Sequence, residues 1–87
     1  MRLGLAENEI TAFILVKVMP VSCKAQAYRS LRELNGITEM YEIMGEFDVL
    51  IKAVTQNIEQ LRSLINLINS INGVYSTESF ISTRKAK

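Results

Sequence analysis

The side chains that could perform chemistry are few, and their types favour binding over catalysis. The 87-residue chain has no histidine and one cysteine, Cys23, so it lacks the most common general base and the most common metal ligand. No pair of carboxylates is spaced to converge on one site. The sequence therefore predicts a protein that is not an enzyme, with no catalytic residue, no metal site and no cofactor.

The first candidate for ligand binding is the segment Met44-Gly45-Glu46-Phe47-Asp48. Gly45 suits a tight turn between two strands, and it would also let a ligand approach the amides of Glu46 and Phe47. Asp48 opens a strand, where aspartate is disfavoured. It either caps the turn by accepting from nearby amides or accepts an α-ammonium group. Met44 adjoins the turn and is placed to line a pocket.

The second candidate is a pair of hydroxyls near the C-terminus. Thr77 and Ser79 are two residues apart, so they share one face of a strand. Hydroxyls are ordinary on a solvated edge strand, and they could equally contact a ligand. Both interpretations stay open. Met40 is assigned to packing, and Tyr41 and Glu42 to an interface at most.

An internal repeat indicates which elements carry these residues. The segment 34–37 (LNGI) returns as 71–74 (INGV), and 13–18 (FILVKV) returns as 48–53 (DVLIKA). Two copies are too few for a solenoid, and they are typical of a duplicated β-α-β unit. The predicted elements are strands at Thr11–Val18, Ile37–Met44, Phe47–Val54 and Val74–Thr83, and helices at Cys23–Leu34 and between Asn57 and Asn72.

Residues that typically start or end helices and strands support these elements. Pro20 ends the first strand because it cannot donate to a ladder. Ser22 and Asn57 are candidate helix caps, with Gln60 at the capping-box position. The Asn-Gly pairs at 35–36 and 72–73 end both helices, and Gly45-Glu46 makes a tight turn between strands 2 and 3.

The order β-α-β-β-α-β predicts an α+β domain of ferredoxin-like topology, with a four-stranded antiparallel sheet and both helices on one face. Right-handed crossovers place strands 1 and 3 in the centre. Strand 1 then points Ile14 and Val16 to one side, and Phe13 and Leu15 to the other. Both sheet faces are apolar, and a helix layer covers only one of them. Burying a few hundred Å² at ~25 cal/mol per Å² yields several kcal/mol, which predicts a face-to-face dimer of the dimeric α+β barrel type.

Two motifs in this topology carry a family resemblance. Gly45 and Asp48 form a G-x-x-D turn, and residues 73–79 (GVYSTES) follow a G-V-x-x-T-x-T pattern in which Ser79 replaces the last threonine. The chain thus resembles the C-terminal effector-binding (RAM) domain of the Lrp/AsnC transcription regulators over about residues 10 to 84.

The resemblance implies sheet-mediated dimers assembled into octameric or decameric rings. It also implies an amino-acid effector bound between dimers, at the Met44–Asp48 turn with Thr77 and Ser79, and full-length regulators of the family as partners. Full-length members begin with a helix-turn-helix of roughly fifty residues, whereas ten residues precede strand 1. The expectation is a stand-alone RAM protein without direct, sequence-specific DNA binding: residues 1–10 an N-terminal extension, 11–84 the ligand-binding and oligomerisation domain, and 85–87 a basic tail.

Charge and hydropathy agree with that expectation. The net charge is +1, and the lysines and arginines are spread along the chain and do not form the basic stripe typical of a nucleic-acid-binding surface. The apolar runs are far shorter than the ~20 residues of a membrane span, and no signal peptide is visible, so a cytoplasmic location is expected. Two alternatives share the topology: an ACT-like regulatory subunit of an amino-acid metabolic enzyme, and a small dimeric α+β barrel enzyme. The turn from Gly45 to Asp48 favours the RAM assignment.

Overall fold

The computed structural model describes residues 9–87 and contains the predicted elements in the predicted order. These are β1 Ile10–Val18, a 3-10 turn Val21–Cys23, α1 Lys24–Arg32, β2 Ile37–Glu42, β3 Val49–Thr55, α2 Ile58–Ser70 and β4 Val74–Ile81. Of the predicted extension 1–10, residues 1–8 lie outside the described part. Within the described part, no helix is long and apolar enough to cross a membrane.

The four strands form one antiparallel sheet in the order β2-β3-β1-β4. The prediction that strands 1 and 3 lie in the centre is therefore confirmed. Ile14 of β1 pairs with Ile51 of β3 on one side and with Ser79 of β4 on the other. Because directly paired residues point to the same face, this register assigns the regularly paired strand residues to one of the two faces.

Both helices cover the same face of the sheet, as predicted. Ile14, Val16 and Ile51 are fully buried there, packed in one cluster with Leu31 of α1 and Ile68 of α2. The alternate residues of β1 and β3 stay partly exposed. Burial therefore follows the two-residue period of a strand, and the apolar core lies entirely between the helices and one sheet face.

The predicted cap at Ser22 is wrong. Ser22 lies inside the 3-10 turn, which the Cys23 amide closes by donating to the Pro20 carbonyl at 2.9 Å. The residue at the cap position of α1 is Cys23, with helical dihedrals and no side-chain bond. A serine cap needs extended backbone, and the tight turn that follows Pro20 does not provide it.

Three elements end two residues before their predicted ends: α1 at Arg32 rather than Leu34, β2 at Glu42 rather than Met44, and β4 at Ile81 rather than Thr83. In α1, the amides of Glu33 and Leu34 donate to carbonyls three residues back, so the last turn tightens and the helix stops. In β4, the last pair joins Ile81 to Ala12, where β1 itself is near its start.

The tight turn predicted at Gly45-Glu46 is a longer loop over residues 43–48. The Ile43 amide closes it by donating to the Asp48 carbonyl at 3.0 Å. The Asp48 amide instead donates to the Val16 carbonyl of β1, at 2.9 Å. The backbone of Asp48 is thereby bonded to β1, and β3 begins at Val49 rather than at Phe47.

The second helix and the repeat behave as predicted. Asn57 Oδ1 accepts from the Gln60 amide at 2.8 Å, and Gln60 Oε1 accepts from the Gln56 amide at 3.0 Å, which together cap α2. The two repeat glycines follow α1 and α2 with φ of 96° at Gly36 and 102° at Gly73. Equal left-handed turns after both helices show that the sequence repeat is also a structural one.

Candidate functional site

The Asp48 carboxylate joins three elements at one end of the sheet. Its Oδ2 accepts from the Val18 amide at the end of β1, at 2.8 Å. Its Oδ1 lies 3.6 Å from Lys24 Nζ at the start of α1. The Asp48 side chain is 20% exposed. One oxygen is therefore fixed by backbone, and the other faces only a long ion pair and retains capacity to accept a further donor.

The turn before Asp48 is open to solvent. Gly45 has φ of 142°, and a Cβ added there would meet no atom within 4 Å. Glycine is thus required by the backbone conformation and not by crowding. Met44 beside it is fully exposed. In the described part of the chain, the amides of Glu46 and Phe47 donate to no protein acceptor, so they remain available as donors.

Thr77 and Ser79 share a face of β4, as predicted, and that face is the one beneath the helices. Thr77 pairs with Val16, and Ser79 with Ile14, both of which are fully buried on the helix side. Thr77 Oγ1 donates to Asn69 Oδ1 of α2 at 3.1 Å. The Thr77 hydroxyl therefore lies beside α2, and Ser79 lies on the same face of β4 two residues further along the strand.

Within one subunit, the structure does not bring Asp48 together with Thr77 and Ser79. Val16 separates them, since Asp48 bonds its carbonyl from the β3 side and Thr77 pairs with it from the β4 side. The Val16 side chain is fully buried under the helices. Asp48 contacts the start of α1, whereas Thr77 contacts α2. The two halves of the predicted site face different helices.

Exposed apolar side chains gather at the end of the sheet that carries Asp48. We call them the turn-end patch: Met19, Val21, Met44 and Tyr75, which are between 47% and 100% exposed. Met19 and Val21 follow β1, Met44 lies in the β2–β3 loop, and Tyr75 lies near the start of β4. Exposed apolar groups of this kind are typical of an interaction surface.

The sheet surface away from the helices is the open face, and two rows of paired side chains cross it. One row runs Glu39, Lys52, Phe13 and Phe80, and the other runs Tyr41, Leu50, Leu15 and Glu78. Phe13, Tyr41 and Phe80 are 36%, 51% and 50% exposed. The prediction that the sheet is apolar on both faces at its centre is confirmed by this register.

Polar groups lie at the β2 edge of the open face. The Tyr41 hydroxyl donates to Glu39 Oε1 at 2.7 Å, and Lys52 Nζ lies 3.8 Å from Glu39 Oε2. This hydrogen bond to Glu39 raises the pKa of Tyr41, with a smaller contribution from the carboxylate charge. A polar rim beside an apolar centre is the arrangement found in protein interfaces.

Sequence reasoning missed one feature, a crevice between α1 and β2. It is a cavity of about 240 Å³ lined by Tyr28, Arg32, Met40 and Glu42. Burial raises the pKa of the Tyr28 hydroxyl, and the charges of Glu42 and Asp48 add to the effect. Two spacings in the sequence could have indicated it. Tyr28 and Arg32 are four residues apart on α1, and Met40 and Glu42 are two residues apart on β2, so each pair shares one face of its element. Across residues 9–87 no cluster of three or more potential metal ligands occurs.

Comparison with known proteins gives a consistent picture. The Lrp/AsnC ligand binding domain family matches residues 11–87. The chain is 33% identical over 78 residues to the HTH-type transcriptional regulator LysM of Sulfurisphaera tokodaii, covering 90% of the chain and 56% of the regulator. It is 39% identical over 70 residues to the HTH-type transcriptional regulator FL11 of Pyrococcus abyssi, covering 80% and 46%. The chain thus spans about half the length of these regulators.

A different kind of relative also matches. Homocitrate synthase of Saccharolobus islandicus is 31% identical over 78 residues, which cover 90% of the chain and 17% of the enzyme. The matching segment is therefore a small part of that protein.

Solved structures share the fold. Escherichia coli AsnC superposes with a TM-score of 0.85 at 24% identity, covering 100% of the chain and 60% of AsnC. A protein of Thermus thermophilus gives 0.81 at 25% identity, covering 90% of the chain and 98% of that protein. A transcriptional regulator of Neisseria meningitidis in complex with L-methionine gives 0.85 at 19% identity, covering 100% and 59%.

Proposed function

This chain belongs to the Lrp/AsnC ligand-binding domain family, and we propose that it is an amino-acid-binding and oligomerisation module that modulates Lrp/AsnC-type transcription regulation. The observation that carries the proposal is the apolar open face of the sheet, which the two helices leave uncovered. Such a face favours self-association, and self-association gives an effector a surface between subunits on which to act.

Dimerisation through the open face buries the two rows that cross it. The centre of these rows is apolar, with Phe13, Leu15 and Leu50 in adjacent positions. At ~25 cal/mol per Å², covering a few hundred Å² of this surface contributes several kcal/mol. A two-fold axis is the simplest symmetry that buries the same surface on both copies.

Ring assembly of dimers, octameric or decameric, would use the turn-end patch. This patch lies at the end of the sheet, so it stays uncovered when two open faces pack together. Covering Met44 and Tyr75 from a neighbouring dimer removes apolar surface from water at the loop that carries Asp48.

The proposed effector is an amino acid, bound by residues Met44 to Asp48 of one subunit and by Thr77 and Ser79 of another. A zwitterion matches the groups available. Asp48 Oδ1 can accept from the ammonium group, while the free turn amides and the Ser79 hydroxyl can donate to the carboxylate. The Thr77 hydroxyl donates to Asn69 in the single subunit, so it would exchange that acceptor for the ligand carboxylate. We assign the two halves to different subunits because, within one subunit, Asp48 faces α1 whereas Thr77 faces α2. The L-methionine complex of a protein with the same fold supports this class of ligand.

The proposed protein partners are full-length regulators of the same family. The resemblance to LysM over 56% of that regulator means that the partner would present an equivalent sheet face. Mixed dimers would then form by the same contacts as homodimers, and sequence-specific contact with DNA would belong to the partner.

A second candidate function is regulation of an enzyme. It is favoured by one observation, the match to 17% of homocitrate synthase. In that role the domain would bind the same class of ligand and act on a catalytic partner. The two functions differ in the partner that co-purifies with the chain, a regulator or an enzyme.

Replacing Asp48 with asparagine is expected to weaken amino-acid binding by about tenfold or more. The variant removes the charge that attracts the ammonium group, and a charge-assisted hydrogen bond contributes roughly 1.5–3 kcal/mol. Asparagine keeps an oxygen that can accept from the Val18 amide, so the fold is expected to persist. Calorimetric titration with a panel of amino acids measures the affinity, and circular dichroism checks the fold.

The matched control is Glu33→Gln, which removes one negative charge at the C-terminal end of α1, away from the turn. Its affinity is expected to equal that of the wild type. Equal affinities of the wild type and Asp48→Asn would place the effector elsewhere, and binding of no amino acid would leave only the assembly role.

A further inference from the structure

We propose that the crevice between α1 and β2 is a second binding site, which takes a free α-amino acid with an apolar side chain as a zwitterion. The site is formed by Tyr28, Arg32, Met40 and Glu42 of one subunit. It differs from the turn site in needing no neighbouring subunit, and it stands independently of that site.

The charges on the two walls of the crevice are opposite and not joined to each other. Arg32 belongs to α1 and Glu42 to β2, and both line the same cavity. The ion pairs found among residues 9–87, Lys24 with Asp48 and Lys52 with Glu39, include neither of them. A guanidinium and a carboxylate that face one cavity without closing on each other leave room for a group with both charges.

This arrangement selects a zwitterion over a simple ion. An inorganic anion at Arg32 would be repelled by Glu42, and a cation at Glu42 would be repelled by Arg32. An α-amino acid can pair with both charged side chains, since its carboxylate can accept a bidentate hydrogen bond from Arg32 and its ammonium group can donate to Glu42.

The floor of the crevice accounts for the apolar side chain. Tyr28 is 8% exposed and belongs to the core, and Met40 is half-buried against the same cluster. A methionine adapts its shape to differing ligands. The Tyr28 hydroxyl is protonated at neutral pH, since the ordinary pKa of tyrosine is about 10 and burial raises the pKa of Tyr28 further, so it can donate to the ligand carboxylate. The crevice offers about 240 Å³, well above the ~10–15 Å³ that one water needs, which is room for a side chain such as that of leucine.

Methyl NMR of the full chain labelled with ¹³C-methyl methionine separates this site from the turn site. Met40 lines the crevice, whereas Met44 lies in the turn. Titration with L-leucine and with L-methionine is expected to shift the Met40 resonance saturably. Leucinamide lacks the carboxylate charge and 4-methylpentanoate lacks the ammonium, and neither is expected to shift Met40 over the same concentrations.

Arg32→Gln and Glu42→Gln are each expected to weaken the Met40 response by about tenfold or more. Arg29→Gln, on the same helix but outside the crevice, is the matched control and is expected to leave it unchanged. Shifts confined to Met44, or no shift of Met40 with either amino acid, would overturn the proposal. So would a Met40 response that both crevice variants retain, or that either analogue reproduces. Shifts of Met40 without Met44 would support the crevice and count against the turn site.

Discussion

Replacing Ile51 with lysine is expected to abolish folding of the chain. Ile51 is fully buried at the centre of the sheet, paired with Ile14 and covered by the helices. The substitution removes roughly 1.5–3 kcal/mol of apolar burial and places a charge where no described residue can pair with it. Together these losses are comparable to the ~5–15 kcal/mol that stabilise a whole domain. Circular dichroism and thermal unfolding measure the result.

The matched control at the same position is Ile51→Val. It deletes one buried methylene and is expected to lower the free energy of unfolding by about 0.5–1.5 kcal/mol while keeping a cooperative transition. A lysine variant that melts cooperatively near the wild-type temperature would show that Ile51 is not in the core.

Replacing Phe13 with glutamate is expected to weaken self-association by about a hundredfold or more while the subunit stays folded. Phe13 lies on the open face between Lys52 and Phe80 and is 36% exposed in the single subunit. A two-fold dimer would bury the new carboxylate twice, once from each copy. Lys52, the nearest cation, already lies 3.8 Å from Glu39, so each new carboxylate would be buried with only part of a partner, which is unfavourable by several kcal/mol. Sedimentation over a dilution series measures the dissociation constant.

Leu67→Glu is the control for this experiment. Leu67 is 53% exposed on α2, on the opposite side of the domain from the open face. Its replacement introduces the same charge and is expected to leave association unchanged. Dissociation by Leu67→Glu together with an intact Phe13→Glu dimer would assign the interface to the helices instead.

The fold could be predicted from local patterns because most of its determinants are local. The two-residue period of β1 and β3 separated the side chains into two faces, although it did not indicate which face the helices cover. The Asn-Gly pairs at 35–36 and 72–73 placed the ends of the helices to within two residues. Prediction failed where a distant contact decides the backbone. The loop at 43–48 is shaped by bonds from Asp48 to Val16 and Val18, thirty or more residues away. No pattern within the turn itself contains that information.

The sequence identified candidate residues for the site, but it did not predict how they are arranged in space. The sequence placed Thr77 and Ser79 on one face of a strand, and the register shows that this face lies beside α2. The crevice was missed because Arg32 and Glu42 belong to different elements and line one cavity only after α1 packs beside β2. Met40 was assigned to packing, since a methionine on an edge strand does not by itself indicate a ligand.

The central claim is that this domain works as an amino-acid-responsive assembly, and the molar mass of the wild-type protein in solution tests it most directly. Light scattering coupled to size-exclusion chromatography, at micromolar concentration with and without L-methionine, compares that mass with the 9.8 kDa of one subunit. We expect at least twice the subunit mass without the amino acid, and a different assembly size when it is added. A folded protein of 9.8 kDa under both conditions would contradict the claim.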